Sequence, residues 1–148
     1  MTEVAFHFNA ADKLEYACRL LRKAMTHSAK VVVAGDSQLL KNLDAALWSF
    51  SPTSFVPHCV FGAHEEILEH SPVVLVLEDE LPHALPHHHV LLNVGDELIK
   101  GFEAFERIIE IVTRDEQDKS AARKRWKHYA DRGYPLLRHD VSAKPISP

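Results

Sequence analysis

The sequence predicts an α/β fold: one domain over residues 1–140, with a mostly parallel sheet flanked by helices on both faces. Three observations carry that expectation. Val31-Val32-Val33 and Val73-Val74-Leu75-Val76-Leu77 are apolar at every position, the pattern of strands covered on both sides. Stretches with helical apolar spacing lie between them, which implies βαβ connections. The chain is 148 residues long, enough for one sizeable core, and shows neither an internal repeat nor a linker.

The elements follow in order. Val4, Phe6 and Phe8 alternate, giving a first strand over residues 4–8. Asp12 caps a helix, with Glu15 in capping-box position. That helix carries Leu14, Ala17, Cys18, Leu21 and Met25 on one face. A strand over residues 30–34 ends at Gly35-Asp36, and Asp36 or Ser37 caps the second helix. Its stripe is Leu39, Leu40, Leu43, Ala46, Leu47 and Phe50. Pro52 and Pro57 then forbid a continuing helix. Trp48, Phe50, Phe55 and Val56 crowd around this exit, which suits either a satellite core or a docking surface. Short strands are expected at residues 59–61, 73–77 and 90–93. Residues 78–89 form a polar loop and the most plausible disordered insert. After Gly101, the spacing of Phe102, Phe105, Ile108, Ile109 and Val112 predicts a helix, with Glu103, Glu106 and Glu110 on its polar side. A last helix runs over residues 116–132 and stops at Gly133, a good C′ residue. Residues 141–148 are expected to fray.

Composition bounds the function. Net charge is −4, which offers no bulk attraction to nucleic acid, so strong direct binding to it is not expected. No stretch approaches the ~18 apolar residues of a membrane span, and the opening residues lack a signal-length apolar run. The two cysteines, Cys18 and Cys59, read as buried reduced thiols in a cytoplasmic protein.

Most chemical motifs are missing. A dinucleotide site needs Gly-x-Gly-x-x-Gly at the first strand-to-helix turn, but that turn is Asn9-Ala10-Ala11-Asp12. The second turn, Gly35-Asp36-Ser37-Gln38, has one glycine, and its acid would repel phosphate. No Gly-x-Ser-x-Gly elbow accompanies Ser49, Ser51 or Ser54. His58 reads as a hydrogen-bonded structural histidine, and Asp96-Glu97 as charge at a helix start. His87-His88-His89, with Glu78 to Glu80 nearby, raises an alternative: a small metal-dependent hydrolase or nuclease. Adjacent histidines in an extended segment point apart, however, and Pro86 interrupts the helical spacing of His83 and His87. A solvated loop is the simpler reading.

The last helix differs. Lys119, Arg123, Lys124, Arg125, Lys127 and Arg132 face a single acid, Asp131, between residues 119 and 132. At about 100° per residue, Ala122, Trp126 and Tyr129 form an apolar stripe. Lys119, Arg123 and Lys127 form a cationic ridge along one edge, with Trp126 at the seam. That combination suits an acidic peptide with a hydrophobic end. A solvated amphipathic helix is the competing reading.

Ala46-Leu47-Trp48, then Ser54-Phe55-Val56-Pro57-His58, then Ala122-Arg123, Arg125-Trp126-Lys127 and Tyr129, then Gly133-Tyr134, together resemble the chi subunit family of bacterial DNA polymerase III. The resemblance runs through nearly the whole chain in order and is weakest between residues 62 and 89. It implies a fold like that of nucleotide-binding proteins but without a phosphate loop. It implies no catalytic activity, no cofactor, and a place in the clamp-loader complex in DNA replication. It implies binding of the acidic C-terminal tail of single-stranded DNA-binding protein, which ends in phenylalanine. Carried over by motif, Arg123 would take the terminal carboxylate, and Lys119 and Lys127 the acidic residues. Val112 and Trp126 would wall the phenylalanine pocket. Trp126 stands where some members carry tyrosine. Trp48 and Phe55 match the family surface for the psi subunit; the same surface would otherwise dock the clamp loader directly, or a helicase.

Overall fold

The structure is a computed structural model describing residues 2–49, 58–60, 71–77 and 85–142. The elements are β1 (Glu3–Ala10), α1 (Lys13–Thr26), β2 (Val31–Gly35), α2 (Ser37–Ser49), β3 (His58–Val60), β4 (Val73–Leu77), β5 (Val90–Asn93), β6 (Arg107–Thr113), α3 (Glu116–Asp131) and β7 (Leu136–Asp140). One sheet takes the order β3-β4-β2-β5-β6-β1-β7, and every neighbouring pair is parallel. The α/β class is as the sequence predicts.

Parallel strands need crossovers, and the crossover helices cover both faces. Val31 and Val33 of β2 point into one core with Ala17, Cys18 and Leu21 of α1 and Leu40, Leu43 and Leu47 of α2. Val32 and Ala34 point into the other, which also holds Ala122 and Tyr129 of α3. The all-apolar run therefore supplies both cores by simple alternation. Local signals also behave as expected. The Asp12 carboxylate accepts from the Glu15 N–H at 2.9 Å. Asp36 accepts from the Leu39 N–H at 2.8 Å, which makes it the cap of α2. Gly133 closes α3 at φ +77°.

Three expectations need correction. Residues 102–112 do not form a helix: Phe102–Ala104 is a single 3-10 turn and Arg107–Thr113 is strand β6. Apolar residues in pairs fit either period, but Ile108, Ile109, Ile111, Val112 and Thr113 are β-branched, and a pleated surface between two cores suits them better. Glu110, assigned to a polar helix face, is consequently fully buried. Asp96-Glu97 caps no helix; it lies in the loop from β5 to β6, where the Asp96 carbonyl accepts from Arg125 Nη1 at 2.6 Å. The third is strand β7, which the sequence did not announce. Among the described residues it sits at the sheet edge beside β1 alone, so Leu136-Leu137-Arg138-His139-Asp140 needs no two-sided apolar run. Val141 next to it is held by its N–H to the Phe8 carbonyl at 3.0 Å. Phe50, Phe55, the Cys59 side chain, residues 78–84 (with His83) and residues 143–148 lie outside the described residues.

The crevice where α/β ligands commonly bind opens beside neighbouring strands whose following helices leave to opposite faces. Here those strands are β1 and β6. Lys13 Nζ and Asp118 Oδ1, from the starts of α1 and α3, meet there at 3.1 Å. Asp118 Oδ2 accepts from the Thr113 N–H at 2.7 Å and from its hydroxyl at 2.9 Å. Burial alone would raise the Asp118 carboxyl, but these donors and the Lys13 ammonium pull it below its ordinary range. A carboxylate stands where a phosphate-binding fold would present bare backbone. Gly35, at the second turn, has a packing role: a Cβ there would come within 2.7 Å of Val94 Cγ2.

A candidate peptide-binding face on the last helix

Asp115 starts α3, its carboxylate accepting from the Asp118 N–H at 3.1 Å. The helix lays Ala122, Arg125 and Tyr129 inward. Arg125 is the unexpected member. The sequence shows it only as one of six basic residues on this helix, yet it is 3% exposed and Glu110 beneath it 0%. Arg125 Nε donates to Glu110 Oε1 at 3.0 Å. Tyr129 Oη donates to Glu110 Oε2 at 2.6 Å. Asn93, opposite Glu110 on β5, donates its Nδ2 to Oε1 at 2.9 Å. Three donors thus converge on one carboxylate. Burial pushes the Glu110 carboxyl above its ordinary range, against the pull of Arg125, Tyr129 and Asn93. Burial and the Glu110 charge likewise raise the Tyr129 phenol, so it stays a donor.

The opposite side of α3 faces water. Arg123 and Lys127 are exposed and form no ion pair among the described residues. Lys119 is half-buried, with its ammonium 3.7 Å from the exposed Glu116 carboxylate. Such a pair is worth little in solvent. Trp126 sits at the boundary. It is half-buried against the α3-side core, and its ring meets Phe6 edge-on at 5.1 Å between centroids. Val112, at the far end of β6, is buried in that same core. Phe6 is a contact that sequence reasoning missed, although its place on the first strand put it on this face. Phe8, two residues on, is half-buried and carries the Arg138 guanidinium 5.0 Å above its ring. The other edge of α3 borders a cleft of about 430 Å³ lined in part by Asp96, Glu97, Lys124 and His128. Its mixed charges suit an acidic chain end less well than the ridge does.

The second predicted surface is partly described. Trp48, near the end of α2, is 64% exposed, with its ring 5.6 Å from that of His58. His58 Nε2 lies 2.8 Å from Asp44 Oδ1, the structural role expected for it. Phe55 is among the residues not described.

The three histidines of the alternative reading go separate ways. His87 is half-buried, and burial lowers its pKa. His88 packs on Phe105 at 5.1 Å between ring centroids. His89 Nδ1 accepts from the Lys30 N–H at 3.3 Å. Among the described residues, no three His, Cys, Asp or Glu side chains gather around one point.

Comparison with known proteins leads to the family that the motifs resemble. The family model for the DNA polymerase III chi subunit, HolC, matches residues 1–137. A DNA polymerase III subunit chi from Pseudomonas aeruginosa is 33% identical over 144 residues, covering 94% of this chain and 96% of that protein. One from Haemophilus influenzae is 27% identical over 128 residues, covering 86% of each.

Proposed function

The chain belongs to the DNA polymerase III chi subunit family, and on that premise we propose that it is a non-catalytic adaptor of the replisome. In this reading α3 holds the acidic C-terminal tail of single-stranded DNA-binding protein. The Trp48 side of α2 joins the clamp loader, through psi or an equivalent subunit. One observation carries the reading. From a single basic run, Arg125 is folded inward while Lys119, Arg123 and Lys127 stay on the water side, next to a half-buried indole. A guanidinium without an ion-pair partner among the described residues, as Arg123 is, keeps its planar fork for a carboxylate. An indole braced by Phe6 receives a terminal aromatic ring without first being ordered. Val112, buried in the same core, supplies apolar depth.

Arg123 takes the terminal carboxylate in this scheme, and Lys119 and Lys127 meet acidic residues further back. Affinity for one tail is modest, because a single ring and a few charges bury little area. Several tails on one oligomer raise the effective concentration. The acidic balance of the chain, −4 overall, makes bare DNA a poor ligand at physiological salt. Cytoplasmic residence goes with this role; among the described residues no helix is long and apolar enough to cross a membrane.

The test is a titration with two synthetic acidic peptides, both ending in phenylalanine, one with a free carboxylate and one amidated. The free peptide should bind at least ~10-fold more tightly, since a charge-assisted pair contributes about 1.5–3 kcal/mol. Equal binding would remove Arg123 from the role assigned to it.

A further inference from the structure

His7 on β1 and His139 on β7 are direct partners in the parallel pairing of the two strands. They share the α1 face of the sheet, and their ring centroids are 5.1 Å apart. Both are half-buried. His7 Nδ1 lies 2.6 Å from the Tyr16 hydroxyl of α1, while the ring nitrogens of His139 have no hydrogen-bond partner among the described residues. We infer that this cross-strand histidine pair is a binding site for a divalent transition metal ion of the zinc class, clamping the edge strand β7 to β1.

The separation of the two rings matches such an ion. A tetrahedral metal ~2 Å from one nitrogen of each ring places the two centroids roughly 5 Å apart. Imidazole suits zinc, nickel and copper, and two imidazoles leave the remaining positions to water. Tyr16 supplies the outer contact that metal-bound histidines usually have. With His7 Nε2 on the metal, Nδ1 carries the single ring proton and donates it to the Tyr16 oxygen. The ring changes tautomer, and no proton need be released. His7 is largely removed from water and lies within the electrostatic reach of His139, Arg107 and Lys23.

The same neighbours limit affinity. Arg107 is offset by Glu3, whose carboxylate lies 3.1 Å from its Nε. The Lys23 charge opposes a dication. Binding should therefore fall in the micromolar range and be tuned by Lys23, a dependence that metal bound at the His87 to His89 stretch would not show. The clamp matters because β7 has only one neighbour in the sheet among the described residues.

The experiment uses the full chain carrying His87→Ala, His88→Ala and His89→Ala, titrated with zinc chloride by calorimetry while the imidazole resonances are followed by NMR. One zinc per chain should bind, shifting the His7 and His139 resonances and raising Tm. Adding His139→Gln should weaken binding at least ~10-fold. Adding Lys23→Ala should tighten it several-fold. His7→Gln is the less clean variant, because it also removes the contact with Tyr16. A dissociation constant above ~1 mM on the triple background, or affinity unchanged by His139→Gln, would overturn the site.

Discussion

On α3, Arg125 lies against a fully buried carboxylate, while Arg123, one residue pair earlier, stands in water with no partner among the described residues. The two share residue type, helix and charged surroundings in sequence. Only the 200° between them on the helix separates their roles. The inward arginine, with Glu110, Tyr129 and Asn93, joins α3 to β6 and β5 by hydrogen bonds. The outward one contributes little to that joint and is available to another molecule. One helix thus holds a fixed, desolvated electrostatic network beside a solvated and exchangeable one. Charge on the inner side acts on stability, whereas charge on the outer side acts on binding.

The sharpest way to break this contrast is to exchange the expected phenotypes. Arg125→Ala should destabilise the fold by about 3–5 kcal/mol, because Glu110 is left buried without its cation. Urea denaturation measures it. Combining Arg125→Met with Glu110→Gln should return much of that loss, since a buried pair removed together costs far less than one partner removed alone. If Arg125→Ala unfolds no more easily than the parent, the inner network is not what fixes α3 in place.

Arg123→Ala should do the reverse. We expect a weakening of about 10-fold or more toward the free-ended acidic peptide, with stability within about 0.5 kcal/mol of the parent. Salt should weaken the parent complex, and weaken the Arg123→Ala complex less steeply. A stability loss as large as that of Arg125→Ala would erase the distinction between the two arginines.

Asp118 sharpens the comparison from the start of the helix, where a carboxylate is paired but only partly buried. Its folded pKa lies below the unfolded value, so its stabilisation is in full force above the ordinary aspartate range. It is lost as pH falls through the lower, folded value. Asp118→Asn should cost on the order of 1 kcal/mol at neutral pH and should flatten the acid limb of the stability profile. An unchanged acid limb would show that the Lys13 and Thr113 contacts do not act on Asp118 in solution.

The smallest effect on the fold belongs to Trp48, 64% exposed on α2. Trp48→Ala should alter Tm by no more than a degree or two and leave peptide binding intact. It should nonetheless abolish association with the clamp loader, read by co-purification with the reconstituted complex. Phe55→Ala should behave likewise. Unfolding by either would assign its ring to the core.

How far the sequence could be read depended on how local the signal was. The caps at Asp12 and Asp36, the strands of β2, β4 and β5, and the stop at Gly133 each follow from a few adjacent residues, and each is found in the structure. Strand β6 was misread because Phe102, Phe105, Ile108, Ile109 and Val112 satisfy a helical spacing. The β-branched content of that run was the better guide. Strand β7 carried no clear pattern, since an edge strand needs only one covered side. Glu110 and Arg125 could not be placed at all from charge alone. Each looks like a surface residue until strand and helix are packed together.

By itself the sequence determined the α/β class, the helix boundaries set by caps, and the concentration of positive charge on the last helix, because each rests on contacts within a turn or on a short apolar period. Only the tertiary structure decided which of those charges is internal. Burying a guanidinium is tolerable only where distant residues supply acceptors, and Glu110 of β6 and the Asp96 carbonyl reach Arg125 across separations of 15 and 29 residues.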